Sequence, residues 1–301
     1  MSNTAKWVLG IIGGFLALGA IFVFLLIITF TSGRDYDESK STSGEKVAVI
    51  ELREPILSSE ETVRQFKKYR ENKSVKAVVF RVESPGGGVA ASQEIYEEVK
   101  KTRDSGKPVV VSMGSVAASG GYYVSCGASR IVANPGTLTG SIGVIFQFLH
   151  VEDLLGKIGV DAATYKTGRF KDSGSPFRKP TEADRKFFDQ LLDDVYDQFV
   201  DVVAGERKLE RRNVLRYADG RVFTGRQALE WGFVDTLGTY EDAIAIAGEL
   251  GGIEGKPRVV QERERTSFWD VLLEGTAPDL AGLRDRLFNQ PIIQYRFTAP
   301  Y

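Results

Sequence analysis

The chain of 301 residues is long enough to fold as one large domain or two small ones. Its formal net charge of −1 gives no support for nucleic acid as a partner, because proteins that bind nucleic acids usually carry a basic excess. The single cysteine, Cys126, excludes a disulfide bond within the chain. The single histidine, His150, limits the kinds of catalytic site that the chain can build.

An uncharged run of 24 residues, 7–30, follows the short N-terminus (residues 1–6). Such a run is long enough to cross the hydrocarbon core of a bilayer as a helix. It is longer than the apolar part of a cleaved signal peptide, and the sequence TFTSG at its end is a poor cleavage site. Lys6 precedes the run, whereas Arg34 follows it among acidic residues, which favours a cytoplasmic N-terminus. We therefore expect a retained single-pass anchor, with the rest of the chain outside the cytoplasm.

Residues 31–45 are rich in serine, glycine and acidic residues, and they predict a solvated linker. After this linker, apolar segments such as KVAVIEL, VKAVVFRV and KPVVVSM alternate with amphipathic helices at short spacing. Ser58 and Glu61 form the S-x-x-E pattern of a capping box before the first helix. The alternation predicts an α/β fold with a mostly parallel sheet that is buried on both faces. We interpret the longest amphipathic pattern, residues 181–208, as a packing helix and not as a site.

A first glycine-rich turn, VESPGGGVAAS at residues 82–92, lies between a predicted strand and a predicted helix. Unpaired amides at the start of a helix suit an anion. A nucleotide is disfavoured, because neither GK[ST] nor G-x-G-x-x-G is present. Two interpretations stay open: a structural turn, or a site for a developing oxyanion or a substrate backbone.

A second turn, MGSVAASGGYYVSCGAS at residues 113–129, surrounds Ser119 with small residues. It is similar to a nucleophile elbow with A-x-S-x-G in place of G-x-S-x-G, where small neighbours permit a tight turn and close approach of a carbonyl. The alternative is that serine, alanine and glycine only let a helix pack close to a sheet. The residues by themselves do not decide between the two.

A serine nucleophile needs a base. His150 lies in VIFQFLHVEDLL, an apolar strand-like run before a helix, and we interpret it as a core or edge histidine. A serine–lysine pair is a known variant of the same chemistry. Lys171 is the lysine of interest, in YKTGRFKDSGSPFRKP at residues 165–180, although a lysine in such a loop is by position more typical of a solvated surface.

Together, RVESPGGG, MGSVAASGGYY, TLTGSIGV, YKTGRFKDSGSP and GRVFTGRQALEWGFVDTLG resemble the short, single-domain form of the signal peptide peptidase A family. These are membrane-anchored serine proteases with the ClpP/crotonase fold, a spiral of β-β-α units. The resemblance covers about residues 46–250, the expected protease domain, and the N-terminal anchor. Residues 251–301, a C-terminal extension with two short amphipathic helix candidates, match least well.

The resemblance implies a role for each of five residues. Ser119 would be the nucleophile, Lys171 the general base, and Ser141 a second serine that orients the lysine. Gly87 and Gly120 would form the oxyanion hole, with Gly86 and Gly88 as neighbouring alternatives to Gly87. The chain departs from the family at Glu83, where asparagine often precedes SPGGG.

The resemblance also implies cleavage of remnant signal peptides and other unfolded segments at the cell membrane, without a metal or cofactor. It implies a homo-oligomeric ring in which neighbouring subunits complete each active site. Two functions of other classes remain: an acyl-CoA-handling enzyme of the same superfamily, and a non-enzymatic membrane scaffold. Labelling with a fluorophosphonate separates the protease from the acyl-CoA enzyme, because only the protease has an activated serine.

Overall fold

The computed structural model describes residues 44–262 and 294–297, together with six isolated positions between residues 7 and 21. The predicted anchor at residues 7–30, most of the linker and most of the C-terminal extension lie outside the described residues. Among the described residues, no helix combines the length and apolar character needed to cross a membrane. Residues 44–262 and 294–297 belong to one compact unit.

A central sheet organises this unit, and eight of its strands lie in the described residues. The order along the sheet is β7-β6-β4-β2-β1-β9, with β5 beside β4 and β8 beside β5; β3 and β10 form a separate antiparallel pair. All pairs in the main sheet are parallel except β6 with β7. The strands are β1 (Lys46–Arg53), β2 (Val75–Ser84), β3 (Gly86–Gly88), β4 (Val109–Ala118), β5 (Arg130–Ala133), β6 (Leu138–Gly140), β7 (Val222–Thr224), β8 (Thr236–Leu237), β9 (Arg258–Gln261) and β10 (Gln294–Arg296).

Helices cover both faces of the sheet, which confirms the predicted α/β fold. Along β2, Phe80 and Val82 pack into a cluster on one face with residues of α1, α2, α3 and α5. Ala77 and Val79 face the opposite side and pack against α8. The helices are α1 (Glu60–Glu71), α2 (Val89–Asp104), α3 (Gly120–Ser125), α4 (Glu152–Lys157), α5 (Glu182–Arg207), α6 (Arg211–Leu215), α7 (Gly225–Glu230) and α8 (Tyr240–Leu250).

The first helix begins differently from the prediction. Helix α1 has Ser59 as its N-cap residue, and Ser58 Oγ accepts from the Glu60 amide (3.2 Å) and not from that of Glu61, so the capping box of Ser58 with Glu61 is wrong. The hydroxyl of Ser59 donates instead to the Glu94 carboxylate of α2. The hydroxyl of the N-cap residue thus bonds to a neighbouring helix, which a local sequence pattern cannot reveal.

The long helix α5 confirms the predicted helix over 181–208. Thr181 caps it through a reciprocal capping box with Asp184, and Lys208 ends it in the left-handed conformation. Its second half is buried at Phe199 and Val203. Its first half contacts the loop of residues 165–180, where Phe187 stacks on Phe170 with 5.2 Å between ring centroids.

Candidate active site

Ser119 lies at the sharp turn between strand β4 and helix α3. Its backbone has φ 54° and ψ −116°, and residues other than glycine rarely adopt a positive φ. Its amide donates to the carbonyl oxygen of Gly140 (2.8 Å), and its carbonyl oxygen accepts from the amide of Tyr123 (2.8 Å). A strained turn from a buried strand into a helix is the geometry of a nucleophile elbow.

The hydroxyl of Ser119 is buried and has no hydrogen-bond partner in the described part of the chain. Leaving such a group unpaired costs about 1–3 kcal/mol, so native structures rarely do so without a functional reason. Packing does explain the glycines after it. An added Cβ would lie 2.7 Å from Ser92 Oγ at Gly120 and 2.6 Å from the Ser84 carbonyl oxygen at Gly121. Close packing therefore accounts for the small residues but not for the hydroxyl.

Ser141 lies beside Ser119 at the end of the neighbouring strand. Strands β4 and β6 are parallel, and Ala118 is paired with Gly140, so Ser119 and Ser141 each follow directly after this pair. Ser141 is also buried and has φ 51°, and its amide donates to the Arg221 carbonyl oxygen (2.8 Å). Parallel strand ends therefore bring the two predicted serines to the same edge of the sheet.

The three glycines of β3 differ in how their amides are used. The Gly86 amide donates to Ser84 Oγ (3.2 Å) and the Gly88 amide donates to the Ile56 carbonyl oxygen (2.8 Å). Neither bond uses the Gly87 amide, and Gly87 lies opposite Tyr295 in the antiparallel pair with β10. Because the Phe297 amide donates to the Pro85 carbonyl oxygen (2.8 Å), the alternation along this pair makes Gly87 and Tyr295 hydrogen-bonded partners. An added Cβ at Gly120 would lie 3.1 Å from the Gly87 nitrogen, so these two glycines are close neighbours.

Glu83 clamps the strand that leads to Ser119. The pairing of β2 with β4 is interrupted opposite this residue, and its carboxylate accepts from the amides of Ser115 (2.9 Å) and Val116 (3.1 Å). An added Cβ at Gly114 would lie 1.6 Å from Glu83 Oε2, so a side chain there would displace this carboxylate. Where the family often has asparagine, this chain thus has the carboxylate of Glu83, which supports the backbone of β4 by accepting from two of its amides.

Lys171 forms no hydrogen bond with the Ser119 hydroxyl within the described part of the chain. It is exposed in the loop of residues 165–180, whereas Ser119 is buried and its hydroxyl bonds to no described group. The next residue, Asp172, is turned toward Arg178, which donates to its carboxylate through Nε (2.9 Å) and Nη2 (2.8 Å). These bonds hold the pKa of Asp172 well below its usual range.

Strand β10 covers the site and was not predicted. It lies antiparallel on β3, and Gln294 also bridges to Ile145 on its other side. The ring of Tyr295 is fully buried and stacks on Tyr123 with 5.1 Å between centroids, and its hydroxyl donates to the Val195 carbonyl oxygen (3.1 Å). Three glycines and a short segment slightly more than two hundred positions later carry no shared pattern, so no sequence signal pointed to this pair.

A cavity of about 540 Å³ continues the site beyond Ser141 and is lined by Ile145, Leu192, Tyr196 and Phe297 among others.

His150 is exposed in an irregular segment, so the interpretation as a core or edge histidine is wrong. The segment around it forms one isolated β-bridge, between Ile145 and Gln294, and Phe148 of this segment packs against Phe188 of α5. Among the described residues, no three His, Cys, Asp or Glu side chains form a group that could hold a metal ion.

The sequence matches known proteins over most of the described region. Residues 101–254 match peptidase family S49. The chain is 44% identical over 216 residues to a putative protease of Synechocystis, covering 71% of this chain and 78% of that protein. It is 40% identical over 220 residues to a putative signal peptide peptidase SppA of Enterococcus faecium, covering 73% and 64%. It is 34% identical over 310 residues to the chloroplastic serine protease SPPA of Arabidopsis thaliana, covering 98% and 42%. The chain thus spans less than two thirds of the second and third proteins.

Proposed function

Because the chain belongs to peptidase family S49, we propose that it is a membrane-anchored serine endopeptidase in which Ser119 and Lys171 form the catalytic dyad. The single observation that carries this proposal is the Ser119 hydroxyl, which is buried and without a hydrogen-bond partner in the described part of the chain. It lies on a residue whose backbone is strained at a strand-to-helix elbow. This arrangement fits acyl transfer. We propose that the α/β unit has the ClpP/crotonase fold, a spiral of β-β-α units.

The proposed reaction uses the neutral amine of Lys171 as general base. As this amine takes the Ser119 proton, Oγ bonds to the scissile carbonyl carbon, and the oxygen becomes an oxyanion held by the amides of Gly87 and Gly120. The lysine then gives its proton to the leaving amine as the peptide bond breaks. Water hydrolyses the acyl-enzyme by the same steps. Ser141 is proposed to orient the lysine, because it lies at the same sheet edge as Ser119.

We propose that the lysine reaches Ser119 from a neighbouring copy in a ring. Lys171 is exposed, and the Ser119 hydroxyl has no described partner of its own. The same part of the chain exposes apolar side chains, with Leu149 70% and Ile158 64% accessible. Exposed apolar groups concentrated in one segment are typical of a surface that another protein covers.

The proposed substrates are remnant signal peptides and other unfolded segments, cut on the extracytoplasmic side of the membrane that residues 7–30 would cross. The pairing of β10 with β3 supports a peptide substrate, because an extended chain would add to Gly86–Gly88 in the same way. A relative that is named a putative signal peptide peptidase supports the substrate class.

The test is cleavage of a denatured protein by the purified full-length chain. We expect Ser119→Ala and Lys171→Ala to be folded but inactive, because they remove the nucleophile and its base. His150→Gln should keep most of the activity. Ser115→Ala is the matched control, since this serine lies in the same strand but is exposed. Full activity of Ser119→Ala, or a dead His150→Gln with an active Lys171→Ala, would refute the dyad.

A further inference from the structure

One arginine ties the loop that carries Lys171 to the long helix α5. Arg178 donates to the Asp172 carboxylate through Nε and Nη2, as described above, and to Asp184 through Nη1 (2.6 Å) and Nη2 (3.1 Å). Asp184 is fixed in turn, because it is buried, caps α5 with Thr181 and accepts from the Ser173 hydroxyl. The fork geometry of a guanidinium permits bonding to two carboxylates at once, which a lysine cannot reproduce.

These bonds of Arg178 fix the carboxylate of Asp172, the residue next to Lys171. Both of its carboxylate oxygens are engaged, one by Arg178 Nε and the other by Arg178 Nη2 together with the Lys166 amine. Its side chain is only 10% exposed, so water does little to screen it. The Asp172 carboxylate therefore binds Arg178 and Lys166, and not Lys171.

The other charged side chains packed around this loop contact groups other than Lys171. On α5, the Asp184 carboxylate faces Arg178. On α4, Asp153 pairs with Lys179, and Glu152 accepts from the Lys179 amide. Arg169, on the loop itself, lies over the ring of Phe170. Within the described residues, Asp172 is the carboxylate nearest in sequence to Lys171, and Arg178 and Lys166 both bind it.

We propose that Arg178 is a positioning residue for the general base: by bridging Asp172 to Asp184, it anchors the Lys171 loop on α5 and keeps the Asp172 carboxylate from pairing with the lysine amine. The inference rests on the proposed function, because it assigns Arg178 a role only if Lys171 acts as the base. An ammonium that pairs with a carboxylate stays protonated to higher pH, and a protonated lysine cannot accept the serine proton.

The test is the pH profile of kcat/KM for a quenched fluorescent peptide, measured with the full-length chain. In Arg178→Gln we expect the midpoint of the acidic limb to move about one pH unit upward, with about tenfold lower kcat/KM at pH 7. Adding Asp172→Asn to the same chain removes the freed carboxylate and should return the midpoint to that of the wild type. Arg178→Lys keeps a cation without the fork, and its midpoint should lie between the two.

The controls separate this inference from the proposed function. Arg185→Gln removes the same charge from an exposed position one residue after Asp184, and it should leave the midpoint unchanged. An inactive Lys171→Ala with an unshifted midpoint in Arg178→Gln and Arg178→Lys would overturn only the inference. An equal loss at every pH, or a shift that persists in the double variant, would also overturn it. An active Lys171→Ala would instead overturn the proposed function, whatever Arg178 does.

Discussion

Gly86 has no room for a side chain beside the Gly120 amide. Its φ is +93°, and an added Cβ would lie 2.1 Å from the Tyr295 carbonyl oxygen and 2.5 Å from the Gly120 nitrogen. In the proposed mechanism, a side chain there would block the approach of the oxyanion to the Gly120 amide. We predict that Gly86→Ala lowers kcat/KM by about 100-fold or more, the usual effect of losing an oxyanion donor.

The matched control for that substitution is Gly106→Ala. Gly106 has a similar φ of +86°, but an added Cβ there meets nothing within 4 Å. The alanine should cost about 1 kcal/mol of stability from backbone strain and leave kcat/KM close to that of the wild type. Equal activity of the two alanine variants in a peptide-cleavage assay would mean that the space at Gly86 does not serve the reaction.

The residues of the site were predictable to different degrees. Small residues on both sides of Ser119, after an apolar strand, leave a readable pattern that made it a candidate, and the family resemblance then selected it as the proposed nucleophile. Lys171 had no such signal, since its loop composition is that of any solvated turn, and only the family resemblance selected it. Glu83 and Arg178 were missed as supporting residues, because their partners come from a neighbouring strand or from the start of the next helix.

At the scale of single elements, the start of helix α5 depends on Asp184. Arg178 is the largest cause of an Asp184 pKa well below its usual range, followed by the Ser173 hydroxyl and the Thr181 amide. A carboxyl group with a lowered folded pKa stabilises the fold above its unfolded pKa of about 4, and this stabilisation is lost as the pH falls through the folded value.

We therefore predict that Asp184→Asn destabilises the protein by about 2 kcal/mol at pH 7, since it weakens hydrogen bonds to a charged group. The difference from the wild type should shrink as the pH falls below about 4, where the aspartate of the unfolded chain is protonated. Urea unfolding at pH 7 and at successively lower pH measures both values. A difference that stays constant with pH would show that the charge of Asp184 is not what stabilises the helix.

The order of the elements was predictable, but one pairing was not. Buried parallel strands such as KVAVIEL are almost continuously apolar, and α5 has a long 3.6-residue period, so both patterns stand out from local sequence. The pairing of β3 with β10 depends on three glycines without side chains and on a contact far along the chain. Nothing local encodes such a contact.

Strand β10 lies where an extended substrate would add to β3, so it should compete with substrate. We predict that deletion of residues 294–301 raises kcat/KM for a short peptide several-fold, mainly through a lower KM, because the competing strand is gone. The matched comparison is Tyr295→Ala, which removes the buried ring but leaves the backbone able to pair. A truncated chain that folds and assembles but has an unchanged KM would contradict this expectation.

At the scale of the whole molecule, we predict that activity depends on assembly, because no hydrogen bond links Lys171 to Ser119 within the described part of the chain. If each site takes its serine from one subunit and its lysine from the next, an equal mixture of Ser119→Ala and Lys171→Ala chains forms some complete sites. With random mixing in a closed ring, the subunit that supplies the serine has an intact Ser119 in about half of the sites. The next subunit likewise supplies an intact Lys171 in about half, so about a quarter of wild-type activity should return.

This prediction has a strict control in the doubly substituted chain. Mixing Ser119→Ala with the chain that carries both Ser119→Ala and Lys171→Ala should give no recovery, because neither component supplies a nucleophile. Native mass spectrometry would first establish that the two components share the same rings, and cleavage of a denatured protein would then measure the activity. If mixed rings of the two single variants form and stay inactive, both residues act within one chain, and the loop of residues 165–180 must then move Lys171 to the Ser119 of its own subunit.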